Sequence, residues 1–146
     1  MRNATYASLL TILLVACTAT NNAVSDPVSS APAAPTGHEV SSNAGNYRVI
    51  YNARPESIPS GELFGLSVWI LDASSGEVAE DVELVVDASM PQHQHGMNVR
   101  PSHSMDESGE HHVDGMLFHM PGAWTVTFDL EREGITERAE VVIDVN

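Results

Sequence analysis

The chain has 146 residues, with 20 acidic side chains against 6 arginines and no lysine, and its formal net charge is -14. This length allows one ordinary domain with tails. The charge excludes nucleic acid and anionic membrane surfaces as electrostatic partners, because no basic patch can neutralise phosphates. The single cysteine, Cys17, excludes an internal disulfide, so the fold depends on an apolar core or on bound metal.

Residues 1–16 are predicted to be a lipoprotein signal peptide. Their apolar stretch, Ala7–Ala16, is too short for a membrane-spanning helix, which needs about 20 residues. The run Leu14–Cys17 resembles the bacterial lipobox, in which cleavage leaves the cysteine as a lipidated N-terminus. We therefore expect a lipid anchor at Cys17 that attaches the protein to a membrane of the cell envelope, facing the periplasm or the cell exterior. An ordinary signal peptide with an incidental cysteine is the alternative.

Residues 17–46, which begin with the predicted lipidated Cys17, are expected to form a disordered tether. They consist mainly of Ala, Ser, Thr, Asn and Pro, and cannot bury enough apolar surface to offset the entropy of ordering. A flexible coil of this length has a root-mean-square span of about 30 Å. His38 lies within this segment and is predicted to take no part in a site.

Residues 47–146 are predicted to be the folded domain, because apolar and polar residues alternate there with the period of a β-strand. The alternating runs are Tyr47–Tyr51, Phe64–Ile70, Val82–Val86, Trp124–Glu131 and Ala139–Val145, with a less regular run at His111–His119. Six or seven such strands favour an all-β, immunoglobulin-like (cupredoxin-like) antiparallel sandwich, with Trp69 and Trp124 as core anchors. A small barrel is the alternative.

The histidines and methionines are concentrated in one part of this domain. Six of the seven histidines and five of the six methionines lie between residues 90 and 120. Core packing does not require this joint enrichment. Thioethers are soft ligands and imidazoles are borderline, and together they suit copper, above all Cu(I), better than magnesium, calcium or manganese.

The densest group is the run Met90–Met97. On an extended backbone His93, His95 and Met97 share one face, since side chains repeat every second residue, and two nitrogens and a sulfur converge. Met90 continues the inward phase of the preceding strand. It is expected either beneath the site or simply in the core.

The second group is His119-Met120-Pro121-Gly122. By itself it also fits an ordinary hairpin turn, with Met120 in the core and His119 exposed. A short reversing strand near residues 97–100 would make the strands that end at Met90 and His119 run in the same direction. Both groups would then lie at one end of the sandwich and could form one site.

The two groups together resemble a known family. The quoted residues are Met90-Pro91-x-His93-x-His95-Gly96-Met97 and Gly115-x-x-Phe118-His119-Met120-Pro121-Gly122-x-Trp124. This double motif resembles the YtkA-like and FixH-like group of small periplasmic or membrane-attached bacterial domains. The resemblance implies an immunoglobulin-like sandwich and a role in copper handling, connected with respiratory oxidases or copper homeostasis. The pair His111-His112 departs from the family pattern, and is either an extra ligand pair or a surface substitution.

No catalytic template fits the sequence, so we predict that the protein is not an enzyme. It has no zinc-protease helix motif, no nucleophile elbow and no phosphate loop. A blue-copper carrier needs a cysteine ligand, and the predicted domain has none. An oxygenase with an N-terminal histidine ligand is excluded by the predicted acylation of Cys17.

Two functional hypotheses therefore remain. In the first, the domain binds copper through His93, His95, Met97, Met90, His119 and Met120, and buffers it or passes it to a copper-accepting or copper-exporting membrane protein. In the second, the sandwich is a structural or protein-interaction module whose adaptable His/Met loops form the contact surface. His103 and Met105 are predicted to lie in a solvated loop outside the site.

Overall fold

The computed structural model describes residues 34–146; the predicted signal peptide and Cys17 lie outside this range. The strands in this range are β1 (His38–Ser41), β2 (Tyr47–Arg54), β3 (Leu63–Asp72), β4 (Glu83–Met90), β5 (His95–Gly96), β6 (Ser102–Met105), β7 (His111–Leu117), β8 (Gly122–Arg132) and β9 (Ile135–Val145). A single turn of 3₁₀ helix occupies Pro91–His93. Within the described range, no helix has the length and apolarity needed to cross a membrane.

The strands form two antiparallel sheets, in the orders β1-β2-β3-β7-β6 and β5-β4-β8-β9. The predicted all-β, immunoglobulin-like sandwich is therefore confirmed, and the barrel alternative is wrong because the two sheets are separate. All six predicted strands are present. The additional strands β1, β5 and β6 contain only two to four residues each, too few to show a clear alternating pattern.

The core lies between the inner faces of the two sheets, and Trp124 is completely buried in it. The indole of Trp124 stacks on the ring of Phe118, with 4.7 Å between the ring centroids. Trp69, predicted as a second core anchor, is only half-buried. That prediction was wrong because Val68 and Ile70 occupy the inner face of β3, and alternation turns Trp69 to the opposite face.

The longest hairpin joins β8 and β9, each of 11 residues. Its two central residues, Glu133 and Gly134, have φ values of 53° and 79°. Positive φ at both positions is the requirement of a type I′ turn, whose twist matches that of paired strands. The register then runs without a break from Arg132 opposite Ile135 to Gly122 opposite Val145, which fixes Trp124 near the far end of the sheet.

The folded part begins earlier than the predicted boundary at residue 47. Strand β1 lies inside the predicted tether and pairs along its whole length with β2. Backbone hydrogen bonds form this pairing, and β1 has one large apolar residue, Val40, so hydropathy gave no signal. His38 also stacks on Tyr51, with 5.3 Å between ring centroids.

The connection from β1 to β2 is fixed to β9 by a buried carboxylate. Ser42 Oγ donates a hydrogen bond to Glu137 Oε2 at 2.6 Å, and Asn46 Nδ2 donates to Glu137 Oε1 at 2.6 Å. Burial alone would raise the pKa of the Glu137 carboxyl, but these hydrogen bonds hold it below its ordinary value. The contacts explain why the ordered domain includes residues before Tyr47.

We expect residues 34–146 to fold without metal, because the core between the sheets contains no ligand-dependent element. Far-ultraviolet circular dichroism of the chelator-treated fragment is expected to show a β-type spectrum with a cooperative thermal transition. A fragment that starts at residue 47 is expected to be less stable, since it lacks β1 and Ser42. A random-coil spectrum that becomes β-type only after metal is added would contradict this expectation.

Candidate metal centre

The strand topology brings the two His/Met groups to one end of the sandwich. Strand β6 reverses the chain between β4 and β7 and pairs antiparallel to β7. The reversing strand expected near residues 97–100 lies a few residues later, at Ser102–Met105. The imidazoles of His95 and His119 are consequently neighbours, with 5.0 Å between their ring centroids.

A tight hairpin positions the first group. Strand β4 ends at Met90, the 3₁₀ turn follows, Gln94 adopts the left-handed conformation, and β5 returns along β4. Pro91 suits the start of this turn because its φ is fixed and the missing N–H is not needed there. The condition of an extended backbone across residues 93–97 is therefore not met at His93 and Gln94, and His93 projects from the turn rather than from the shared face of a strand.

Strand register explains the position of His95. His95 on β5 is directly opposite Met90 on β4, and the pairing of Ser89 with Thr125 places Trp124 beside Met90 on the next strand. Residues opposite each other in antiparallel strands have Cβ atoms about 5 Å apart. The His95 ring meets the edge of Trp124 at a centroid distance of 5.9 Å.

Two imidazoles, those of His95 and His119, thus contact the Trp124 ring, and the imidazole of His93 lies beside that of His95. The His95 centroid is 5.9 Å from that of His93 and 5.0 Å from that of His119, and the His119 ring contacts Trp124 at 5.2 Å. His95 is half-buried, whereas His93 and His119 are exposed. His95 is therefore the central member of the group, and its two neighbours are accessible from solvent.

His95 also has a buried polar atom whose hydrogen-bonding capacity is unused. Its Nδ1 is screened from solvent and has no hydrogen-bond partner among residues 34–146. A buried polar atom without a partner costs about 1–3 kcal/mol, so such atoms are uncommon in native proteins. Coordination to a metal ion would satisfy this nitrogen, and the residues present therefore fit a metal site.

The predicted methionine ligands at this end of the sandwich differ in burial. Met90 is fully buried in the core, and a Cβ at Gly122 would lie 2.8 Å from its Cε, so Gly122 leaves room for it. Met97 and Met120 are half-buried at the edge of the core. Trp124 Nε1 donates a hydrogen bond to the Met120 carbonyl oxygen at 3.1 Å, which fixes the loop before β8.

A contact between two histidines on the β6–β7 hairpin was not predicted from the sequence. His103 Nε2 lies 2.8 Å from His111 Nδ1, and the two rings stack at 5.0 Å with an interplanar angle of 12°. His103 and Met105 are exposed but belong to strand β6, so their predicted loop conformation is wrong. The alternation in Ser102-His103-Ser104-Met105 was the available signal. Burial, assisted by the nearby His103, lowers the pKa of His111 to about 4.

The opposite face of this hairpin has a group of harder ligands that was also missed. Asp106, Glu110 and His112 place one ligand atom each within 4.8 Å of one another. Within residues 34–146, no other group of three or more His, Cys, Asp or Glu side chains does so. His112 Nε2 is 3.5 Å from Asp106 Oδ2, and its Nδ1 is 3.6 Å from Glu110 Oε1. Hydrogen bonds from Ser108 lower the pKa of Asp106 to about 2.

The cluster of His93, His95 and His119 has more widely spaced ligand atoms than the group of Asp106, Glu110 and His112. Its three rings do not place one nitrogen each within 4.8 Å of one another, as the Asp106 group does. Closure around an ion therefore requires ring rotation. His93 and His119 are exposed and free to rotate, whereas His95 is held by the strand.

Comparison with models of known protein families gives no match, and comparison with curated proteins gives none either. Among solved structures, the chain is similar to a copper-bound variant of FetP from a uropathogenic Escherichia coli strain. The identity is 12%, the TM-score is 0.46, and the alignment covers 74% of this chain and 95% of that chain. So distant a likeness identifies no ligand in the present chain.

Proposed function

We propose that this domain binds copper as Cu(I) at the end of the sandwich, through His95, His93 and His119 with a methionine sulfur. The observation that carries the proposal is the buried, unpartnered Nδ1 of His95, a residue whose ring lies beside two accessible imidazoles. Thioether and imidazole ligands select Cu(I) over hard cations. The earlier resemblance to YtkA-like and FixH-like domains points to the same metal.

Among the methionines, Met97 and Met120 are the preferred sulfur donors. Both are half-buried at the edge of the core beside the histidine groups. Met90 is 2% exposed and packs against Gly122, so we propose that it forms the floor of the site rather than a ligand. This assignment narrows the predicted set of six ligands to three nitrogens and one or two sulfurs.

The accessibility of the ligands favours a carrier rather than a permanent cofactor site. His93 and His119 are both exposed, so a partner can replace them as ligands one at a time. The net charge of -14 raises the local concentration of cations around the domain. We propose buffering of copper, or its transfer to a copper-accepting or copper-exporting membrane protein, with no catalytic role.

Competition titration against a chromophoric Cu(I) chelator tests the proposal. The protein should carry Cys17→Ser, because an unprocessed thiol would itself bind Cu(I). We expect tight binding by the chelator-stripped protein and much weaker binding of Zn²⁺. Failure to compete for Cu(I) would favour the alternative, an interaction module with His/Met contact loops.

Attachment to the cell envelope is a separate proposal that depends on Cys17. A lipidated Cys17 would keep the domain near a membrane partner and would remove the free thiol. Metabolic labelling with a palmitate analogue is expected to mark the parent and not Cys17→Ser. Equal labelling of both proteins would show that the anchor is not at this residue.

A further inference from the structure

The inner face of the β6–β7 hairpin has a second set of soft ligands, separate from the His95 cluster. Met105 is directly opposite His111 in the strand register, and His103 is opposite Val113, which puts all three ligand side chains on one face. The ring nitrogens of His103 and His111 are 2.8 Å apart. Directly opposite residues have Cβ atoms about 5 Å apart, so the Met105 thioether can reach the histidine pair.

We propose that His103, Met105 and His111 form a second Cu(I) site. The ligands would be His103 Nε2, His111 Nδ1 and Met105 Sδ, in a three-coordinate arrangement. This composition of two imidazoles and one thioether selects a soft monovalent ion over calcium, magnesium or manganese. The inference rests on the hairpin geometry and does not require the His95 site to exist.

The existing hydrogen bond shows that the pair can accept an ion with little rearrangement. At a metal–nitrogen bond length of about 2 Å, typical of imidazole, two nitrogens of a trigonal site lie about 3.5 Å apart. The present separation of 2.8 Å has to open by less than about 1 Å. His103 can make this movement because it is exposed on the edge strand of its sheet.

A metal ion can replace the hydrogen bond between His103 and His111 without a change in the number of bound protons. One imidazole now donates its N–H to the other, and each neutral ring carries a single proton. When the ion takes the two facing nitrogens, that N–H proton moves to the other nitrogen of the same ring. No net proton is released if both rings start neutral, and binding is an exchange of a hydrogen bond for two metal–nitrogen bonds.

The cleft beside the hairpin gives an ion a route from solvent to the proposed ligands. His103 and Met105 line an open cleft of about 530 Å³ against strand β4, with Leu84 and Val85 on its wall. The acidic residues Glu80, Asp81 and Glu83 also line this cleft, and their charge attracts cations without selecting among them. His111 is 2% exposed and fixes the inner ligand, while Met105 is 45% exposed at the mouth of the cleft. The carboxylates of Asp106 and Glu110 belong to the group on the other face of the hairpin, with His112.

Stoichiometric Cu(I) titration of the full chain, again with Cys17→Ser, tests the second site. We expect two ions for the parent. The double change His103→Gln with Met105→Leu alters only exposed side chains. It is expected to leave one ion at the His95 site, with an affinity within about threefold of the affinity of that site in the parent. Glu110→Gln is the matched control on the opposite face and should retain both ions.

The outcomes separate this proposal from the proposed function. His95→Ala should remove one ion and leave the hairpin site. A parent that binds one ion, lost only in the His103→Gln with Met105→Leu variant, would contradict the proposed function and leave the second site standing. A parent that binds one ion, lost only with His95→Ala, would overturn the second site and show that the His103–His111 contact is structural. Loss of the second ion in Glu110→Gln but not in the double variant would overturn it as well, by moving the site to the Asp106 group.

Discussion

Replacement of His95 by alanine is expected to weaken Cu(I) binding at the end of the sandwich by at least about 100-fold, or about 2.7 kcal/mol. The change removes the central imidazole, which lies between His93 and His119 and has the buried unpartnered nitrogen. Truncation of either exposed neighbour should cost less. Competition titration with a chromophoric chelator gives the affinities directly.

His38→Ala is the matched control for this experiment. It removes an exposed histidine that stacks on Tyr51 and belongs to neither histidine cluster. The control should bind Cu(I) like the parent. The combined change of His93 and His95 to alanine should abolish the site, and Met97→Ala should weaken Cu(I) more than Cu(II), which prefers nitrogen ligands. Parent-like affinity in His95→Ala would refute the assignment.

Replacement of Trp124 by alanine is expected to destabilise the domain by about 3–5 kcal/mol, the range for a large aromatic side chain truncated in a core. Trp124 is fully buried, stacks on Phe118, and supports both His95 and His119. Urea unfolding of the metal-free protein gives the change in free energy. Addition of Cu(I) should recover little of it, because the rings of the site lose their common support.

Trp69→Ala provides the control with the same chemical change. Trp69 is half-buried on the outer face of its sheet, so its truncation leaves no internal cavity. We expect a loss of stability less than half that of Trp124→Ala, and unchanged Cu(I) affinity. Equal losses in the two variants would show that the inner and outer faces of β3 and β8 have been assigned incorrectly.

The alternating pattern predicted the sandwich well because one face of each long strand is apolar and the other is polar. It failed where backbone hydrogen bonds determine the structure. Strand β1 pairs through its backbone and has only Val40 as a large apolar residue. Trp69 is apolar, but it lies one residue out of phase with Val68 and Ile70. The two-residue period of the strand determines which face Trp69 occupies, whatever its hydrophobicity.

The sequence indicated which residue types form the candidate centre, but it did not indicate the local geometry of the backbone there. The resemblance and the His/Met enrichment pointed to the six residues near the end of the sandwich. They did not reveal the 3₁₀ turn that carries His93, because Pro91 is compatible with several turn conformations and the left-handed Gln94 has no marker in sequence. The His103–His111 contact depends on the β6–β7 register, which long-range pairing fixes and local sequence does not.

The most direct test of the central claim is the histidine side-chain NMR spectrum of the nitrogen-labelled protein during addition of Cu(I), which is diamagnetic. We expect the first equivalent to shift the ring nitrogens of His95 and His119, with the largest change at Nδ1 of His95, while those of His38 stay in place. If His93, His95 and His119 are still unchanged after two equivalents, the end of the sandwich is not a copper site.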